Sequence, residues 1–178
     1  MQNSSILLAS ILGKRQTVML SESYVHGASS ANLLGQTLGA NFDSAAERWC
    51  DREALVGRHQ NLRGSYNDLK MLLDAFAAGL LSLGLEPGDR IGIRSQNNSE
   101  WVVTQYATAK IGLILVNINP AYRVLELEYA INKVGCRALI LSEKFKSSNY
   151  IEMLKELAPS LTKSRPGNLD SDRLVTLS

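Results

Sequence analysis

Reactive and metal-binding residue types are scarce in this chain. Cys50 and Cys136 stand far apart without CxxC spacing, and the two histidines, His26 and His59, have no partner at ligand spacing. A zinc site is not expected on that basis, and the thiols read as reduced, at least one of them buried as a small hydrophobe. Nothing points to secretion. The charge surplus is also small, nineteen Lys and Arg against seventeen Asp and Glu, with no dense basic stripe, so nucleic acid is not an expected partner. No transmembrane segment is expected, because the N-terminal apolar run, Ile6 to Leu12, is too short to span a bilayer.

What remains is ordinary globular usage, 45% apolar and 20% charged, in 178 residues. That length holds one domain with a real core, or one lobe of something larger. The first residues, MQNSSILLASILGKRQTVMLS, contain no acid and place Lys14 and Arg15 after the apolar run. A signal peptide carries its charge before that run, so the segment fits an organellar transit peptide better; a frayed start without an address fits equally well.

Helical spacing of Leu34, Leu38, Phe42, Ala45, Ala46 and Trp49 predicts an amphipathic helix over 33–49. Ala54-Leu55-Val56 reads as a brief strand, turned back through Gly57–Gly64 into a short second one. Ser65 with Asp68 is a capping-box start, and Leu69, Leu72, Leu73, Phe76, Ala77, Leu80 and Leu81 continue a single stripe to a Gly84 stop and a Pro87-Gly88 turn. RIGIR, residues 90–94, is a strand. After a polar break come a narrow helical stripe, Val102, Tyr106 and Ala109 flanked by Trp101, and the run Leu113–Val116 ending at Asn119-Pro120, expected as a central parallel strand. Leu125, Tyr129, Ala130 and Ile131 mark another helix, Val134-Gly135 its stop, and Ala138–Leu141 a strand. A last helix spans about 149–157 before Pro159, and Leu174-Val175 reads as the start of a further strand. The alternation from 90 to 158 predicts an α/β fold, a layered parallel sheet flanked by helices.

The polar break, Ser95-Gln96-Asn97-Asn98-Ser99-Glu100, lies where α/β sheets bind ligands, at the carboxyl end of a strand and the start of a helix. Yet no glycine falls between Gly92 and Gly112, so neither a GxGxxG fingerprint nor a Walker A loop is present. The favoured reading is a corner: Asn98 or Ser99 caps the next helix and Glu100 sits in its first turn. Glu126 and Glu128, two apart on a helix, point to different faces and are not an acid/base pair; a solvated face or dipole partners suit them better. Tyr66, Tyr106, Tyr122 and Tyr129 read as core with hydroxyls at the rim rather than a pocket lining.

The ordered series Gly88-Asp89-Arg90, Asn98-Ser99-Glu100-Trp101, Ala109-Lys110-Ile111-Gly112, Val116-Asn117-Ile118-Asn119-Pro120-Ala121-Tyr122, Glu126-Leu127-Glu128-Tyr129 and Gly135-Cys136 resembles the N-terminal part of the adenylate-forming enzymes. These include acyl-CoA synthetases, luciferases and nonribosomal adenylation domains. With Ser23-Tyr24-Val25-His26-Gly27 and Lys133-Val134-Gly135-Cys136, the resemblance is strongest to mitochondrial medium-chain acyl-CoA synthetases and covers about residues 23–160.

The resemblance implies part of an N-terminal subdomain, incomplete as it stands. It divides the chain into an extension over 1–32, a partial AMP-dependent synthetase/ligase domain over 33–158 and a loop-like, truncated tail over 159–178. It implies a ligase that joins a medium-chain fatty acid to coenzyme A at the expense of ATP, with Mg2+, in a mitochondrion or else the cytoplasm. The phosphate loop, adenine loop, magnesium position, ribose-binding Asp and catalytic Lys of that family would fall beyond residue 178. No catalytic, cofactor-binding or metal-binding residue is therefore carried over, no cofactor is expected in this chain, and it is expected to be inactive alone. The alternative is a non-catalytic binding or interaction module of the same fold, self-associating through exposed apolar surface.

Overall fold

The computed structural model describes residues 27, 30, 33–165 and 167–177. The transit-segment expectation and His26 lie outside the described residues. By its contacts the chain divides after Leu34, and every element below belongs to the unit Gly35–Ser178.

Helix α1 is shorter than the predicted 33–49, spanning Leu38–Arg48. Thr37 stops it from reaching further back, its hydroxyl accepting a hydrogen bond from the Ala40 amide at 3.2 Å. Leu34 is accordingly exposed, and the buried face reduces to Gly39, Phe42 and Ala46. Strands β1 (Glu53–Gly57) and β2 (Leu62–Ser65) form the expected antiparallel hairpin. Their turn is a 3-10 segment, Arg58–Gln60, closed by Asn61 in the left-handed region.

Helix α2 (Tyr66–Ser82) opens with the anticipated capping box: the Asp68 amide donates to Ser65 Oγ at 3.2 Å and the Ser65 amide to Asp68 Oδ2 at 2.9 Å. Gly84 ends the turn beyond it at φ 80°. The apolar stripe is narrower than predicted. Leu69, Leu73, Ala77 and Leu80 are buried, the three leucines contributing about 1.5–3 kcal/mol each, whereas Leu72 and Leu81 face outward.

Strands β3 (Arg90–Arg94), β4 (Ile114–Asn117) and β5 (Cys136–Leu141) form a parallel sheet in the order β4-β3-β5. The expectation of a central Leu113–Val116 run is thus overturned. β4 is an edge strand with Ile114 46% exposed, and β3 is central, buried at all of its last four positions. Gly92 explains the preference. A Cβ at Gly92 would meet Ile118 Cδ1 at 2.8 Å and Leu139 Cδ1 at 2.9 Å, so side chains of both neighbouring segments close over β3 only because residue 92 has none.

Two helices link these strands. α3 (Ser99–Lys110) buries Val103, Thr104, Ala107 and Thr108 rather than the predicted Val102, Tyr106 and Ala109. The threonines are admitted because Thr104 Oγ1 donates to the Glu100 carbonyl at 2.7 Å and Thr108 Oγ1 to the Thr104 carbonyl at 2.8 Å. α4 (Val124–Val134) ends on Gly135 at φ 73°, as anticipated, but buries Leu127 and Ile131 and leaves Leu125 and Tyr129 in solvent.

Beyond β5, a two-residue hairpin, β6 (Lys144–Phe145) and β7 (Ser148–Asn149), precedes α5 (Tyr150–Leu157), whose cap Asn149 accepts from the Glu152 amide at 3.1 Å. The stretch after it is irregular, and the strand expected from Leu174-Val175 does not form. Leu174 and Leu177 are nonetheless buried against Ile118, Leu127, Ile131 and Leu157. Thr176 Oγ1 donates to the Cys136 carbonyl at 2.9 Å, and Asn132 Nδ2 donates to the Arg173 carbonyl at 2.6 Å.

Helices α1, α2 and α3 meet at one polar node. Lys110 Nζ lies 2.7 Å from Asp43 Oδ1 of α1 and also bonds Asp74 of α2, whose other oxygen is 2.6 Å from Lys70 Nζ. At the same crossing a Cβ on Gly39 would stand 2.9 Å from the Lys110 Cα, so α1 and α3 approach backbone to backbone.

Candidate functional site

The carboxyl end of β3 is the position at which a layered α/β sheet presents ligand-binding loops. Here it leads into the polar break. Asn98 caps α3, its Oδ1 accepting from the Trp101 amide at 3.0 Å, and its Nδ2 donates to Ser95 Oγ at 2.9 Å. Ser95 Oγ in turn lies 2.5 Å from Ser142 Oγ at the end of β5. Gln60 reaches in from the hairpin turn. Its Oε1 accepts from the Ser99 amide at 2.8 Å, and its Nε2 donates to Glu100 Oε2 at 2.7 Å.

The Gln60 hydrogen bond and then the backbone hold the Glu100 carboxyl below its ordinary range. Two amides that an anion would seek at a helix start, those of Ser99 and Trp101, are therefore already taken by protein oxygens. The break turns a corner, with Asn98 as cap and Glu100 in the first turn as the sequence indicates. Nothing in the sequence singles out Gln60, whose reach across 39 residues depends on the hairpin's placement. A hollow of about 240 Å³ remains between the hairpin and the corner, with His59, Gln60, Asn97 and Asn98 among its lining.

Arg94, the last residue of β3, is fully buried without a carboxylate. Its Nη2 donates to the carbonyls of Pro120 (3.3 Å) and Tyr122, its Nη1 to Met153 Sδ (3.3 Å), and its guanidinium lies 3.9 Å from the Tyr150 ring centroid. Tyr150 completes the cluster by donating its hydroxyl to the Pro120 carbonyl at 2.9 Å. Burial pushes the guanidinium below its ordinary value, and its Nε has no hydrogen-bond partner among the described residues. The arrangement rivets Asn119-Pro120-Ala121-Tyr122 onto the sheet and α5. A cation inside a strand that otherwise reads as apolar core carries no sequence signal of this role.

The other candidates separate. Glu126 accepts from the Arg123 amide at 2.7 Å, a first-turn partner as anticipated. Glu128 instead pairs with Arg173 of the C-terminal stretch, Nε to Oε1 at 3.1 Å, and this bond holds its carboxyl below the usual glutamate range. The two acids share no function. Tyr66 and Tyr106 flank Phe42 with ring centroids at 6.1 and 5.1 Å, and Tyr122 packs on the core beneath α4. Tyr129, expected in the core, is 67% exposed because α4 is rotated to bury Leu127.

Both cysteines are free; Cys136 is buried, and burial raises its thiol pKa, while Cys50 is exposed. Among the described residues no three His, Cys, Asp or Glu side chains gather as a metal site, and no helix is long and apolar enough to cross a membrane. The donor set at this edge thus does not fit a triphosphate or its magnesium: the Ser99 and Trp101 amides are engaged, and among the described residues no metal-binding cluster of acids forms.

Comparison with known proteins supplies what the edge does not. Residues 42–175 match the family described as AMP-binding enzyme. The chain is 46% identical over 155 residues to the mitochondrial medium-chain acyl-CoA ligase ACSF2 of Bos taurus, an alignment covering 87% of this chain and 25% of that protein. It spans about a quarter of the length of the curated relatives it matches. Among solved structures, a putative long-chain-fatty-acid CoA ligase from Rhodopseudomonas palustris superposes with TM-score 0.63 at 25% identity, over 78% of this chain and 31% of that one. The N-terminal domain of FACL13 from Mycobacterium tuberculosis shares the fold, with TM-score 0.65 at 20% identity over 80% and 33%. With its parallel sheet, its capped corner and this matched span, the chain belongs to the AMP-binding enzyme family and carries the N-terminal α/β layer of the adenylate-forming fold.

Proposed function

We propose that this chain is the N-terminal portion of an ATP-dependent medium-chain fatty acyl-CoA ligase and is catalytically incomplete alone. The reaction of such a ligase joins a carboxylic acid to coenzyme A, with ATP converted to AMP and pyrophosphate. The observation that carries this reading is the 46% identity with a medium-chain ligase over nearly the whole chain. The role left to the present residues is framework: Arg94 fixes the Pro120 loop, Gln60 and Asn98 fix the corner, and Lys110 locks three helices. ATP, Mg2+ and coenzyme A would then be held by parts of the full enzyme other than this edge.

Two experiments test the reading. In pyrophosphate exchange with octanoate the purified chain is expected to be silent; formation of acyl-AMP by it would end the claim of incompleteness. Exchanging the matching segment of the bovine ligase for residues 42–175 of this chain is expected to preserve thioesterification of C6–C10 acids, whereas a folded chimera that has lost them would refute the assignment. The mitochondrial naming of the relatives supports a mitochondrial address, checked by imaging a C-terminal fluorescent fusion. The exposed outer face of α4, with Leu125 and Tyr129, favours a second reading, an interaction module of the same fold.

A further inference from the structure

Helix α4 buries Leu127 and Ile131, and its outer face presents two large apolar side chains to solvent. Leu125 is 74% and Tyr129 67% exposed, and beside their ridge lies an open hollow of about 520 Å³ bordered by Ala130, Lys133 and Val134. Side chains of this size are rarely left in water together without an occupant. The order of residues along the stripe says what that occupant is.

Reading outward from a point between Tyr129 and Ala130, three pairs of positions along this face complement one another at equal distances. Leu125 mirrors Val134, Glu126 mirrors Lys133, and the large Tyr129 mirrors the small Ala130. Seven residues separate Glu126 from Lys133, about 10 Å along the helix axis, so the two cannot meet within one helix. An antiparallel copy brings them together twice. Glu126 Oε2 accepts from the Arg123 amide, and among the described residues neither Glu126 nor Lys133 makes an ion pair.

We propose that α4 is a homodimerisation helix, pairing antiparallel with α4 of a second copy about a two-fold axis near Tyr129. In that pairing each Tyr129 ring lies over the partner's Ala130, each Leu125 enters the hollow beside the partner's Val134, and Glu126 faces the partner's Lys133 at both ends. Such a contact is isologous and closes at two copies. An 11-residue helix buries less than the roughly 1,600 Å² of a standard stable interface, so the dimer is weak and forms only at elevated concentration. The inference stands apart from the acyl-CoA reading, since it concerns only this chain's surface.

Sedimentation of the full chain from about 5 to 500 µM is expected to show a reversible monomer–dimer equilibrium. Leu125→Lys and Tyr129→Lys, both at exposed positions and with far-UV circular dichroism unchanged, are expected to weaken it at least tenfold. A zero-length carbodiimide cross-link between Glu126 and Lys133, formed between isotopically distinct copies, is the expected chemical signature. A wild-type chain that stays monomeric throughout, or a dimer that both lysine variants form as readily as wild type, would overturn the proposal. So would cross-links that join the copies elsewhere and never through α4.

Discussion

Replacing Lys110 with methionine removes the ammonium that joins α1, α2 and α3 while keeping the length of its stem. Lys110 is only 12% exposed, whereas its acid partners Asp43 and Asp74 are 37% and 45% exposed. The cost therefore falls between two limits, about 0.2–1 kcal/mol for a surface pair and about 3–5 kcal/mol for a fully buried one that loses a partner. About 2 kcal/mol is expected, because two carboxylates are left facing each other with Lys70 alone to neutralise them. In a chain of this size that corresponds to a fall in Tm of roughly 4–8 °C.

Urea denaturation followed by far-UV circular dichroism measures the change, with the m-value expected to stay constant. A cycle with Asp74→Asn should return a coupling of about 1 kcal/mol, since Asp43 still holds the ammonium in the single acid variant. The pH dependence has a definite sign. Hydrogen bonds from Lys110 and then Lys70 hold the Asp74 carboxyl below its ordinary value, so the stabilisation is complete above the unfolded-state pKa and disappears as pH falls through the lower folded value. Burial alone would lower the Lys110 ammonium, but its bonds to Asp43 and Asp74 outweigh that and raise it, which keeps it charged across neutral pH. The difference between wild type and Lys110→Met should thus persist from pH 7 to pH 5 and narrow below pH 4. A loss under 0.5 kcal/mol at pH 7, or a gap unchanged at pH 3, would refute the reasoning.

Arg94→Ala leaves the Tyr122 carbonyl without its guanidinium and opens a hole beneath Tyr150, and a loss of about 3 kcal/mol or more is expected in the same assay. Asn98→Ala removes a cap and should cost about 1 kcal/mol. In the bovine chimera that substitution should lower stability while leaving kcat/KM per folded molecule unchanged, as a corner residue requires. The Arg173 bond holds the Glu128 carboxyl low, so docking of the C-terminal stretch persists to pH values below the ordinary glutamate range and is lost as pH falls through the depressed pKa. Acid-stable proteolysis should release this stretch earlier, at higher pH, in Arg173→Ala than in wild type.

Local chemistry carried much of this fold into view. The Ser65 and Asp68 box, the Asn98 cap and the left-handed stops at Gly84 and Gly135 are each decided within four or five residues, and each stands where the sequence puts it. Helix rotation is harder to read. On α3 the hydroxyls of Thr104 and Thr108 satisfy themselves on their own helix and so enter the interior, shifting the buried face by one position from the apolar residues that mark it. On α4 the exposed ridge is itself apolar, so hydrophobicity points to the wrong side. Strand order was equally hidden: Leu113–Val116 is the greasier run, but the steric opening at Gly92 puts β3 in the middle. Leu174 and Leu177 reach the core through long-range contacts to Ile118 and Leu157, with no periodic pattern to announce them.

At the polar break the Asn98 cap was legible, and the Ser99 and Trp101 amides there bond side-chain oxygens of Gln60 and Asn98. Gln60 and Arg94 act across 39 and 28 residues, a range at which neither spacing nor composition speaks.

Gly39 gives the helical layer a form of crosstalk. A methyl group there has no room, because it collides with main-chain Lys110 rather than with a pliable side-chain tip. Whatever prises the two helices apart also drags the ammonium away from both aspartates, so a purely steric fault at residue 39 would be felt as an electrostatic one, and its penalty would depend on acidity although glycine itself carries no charge.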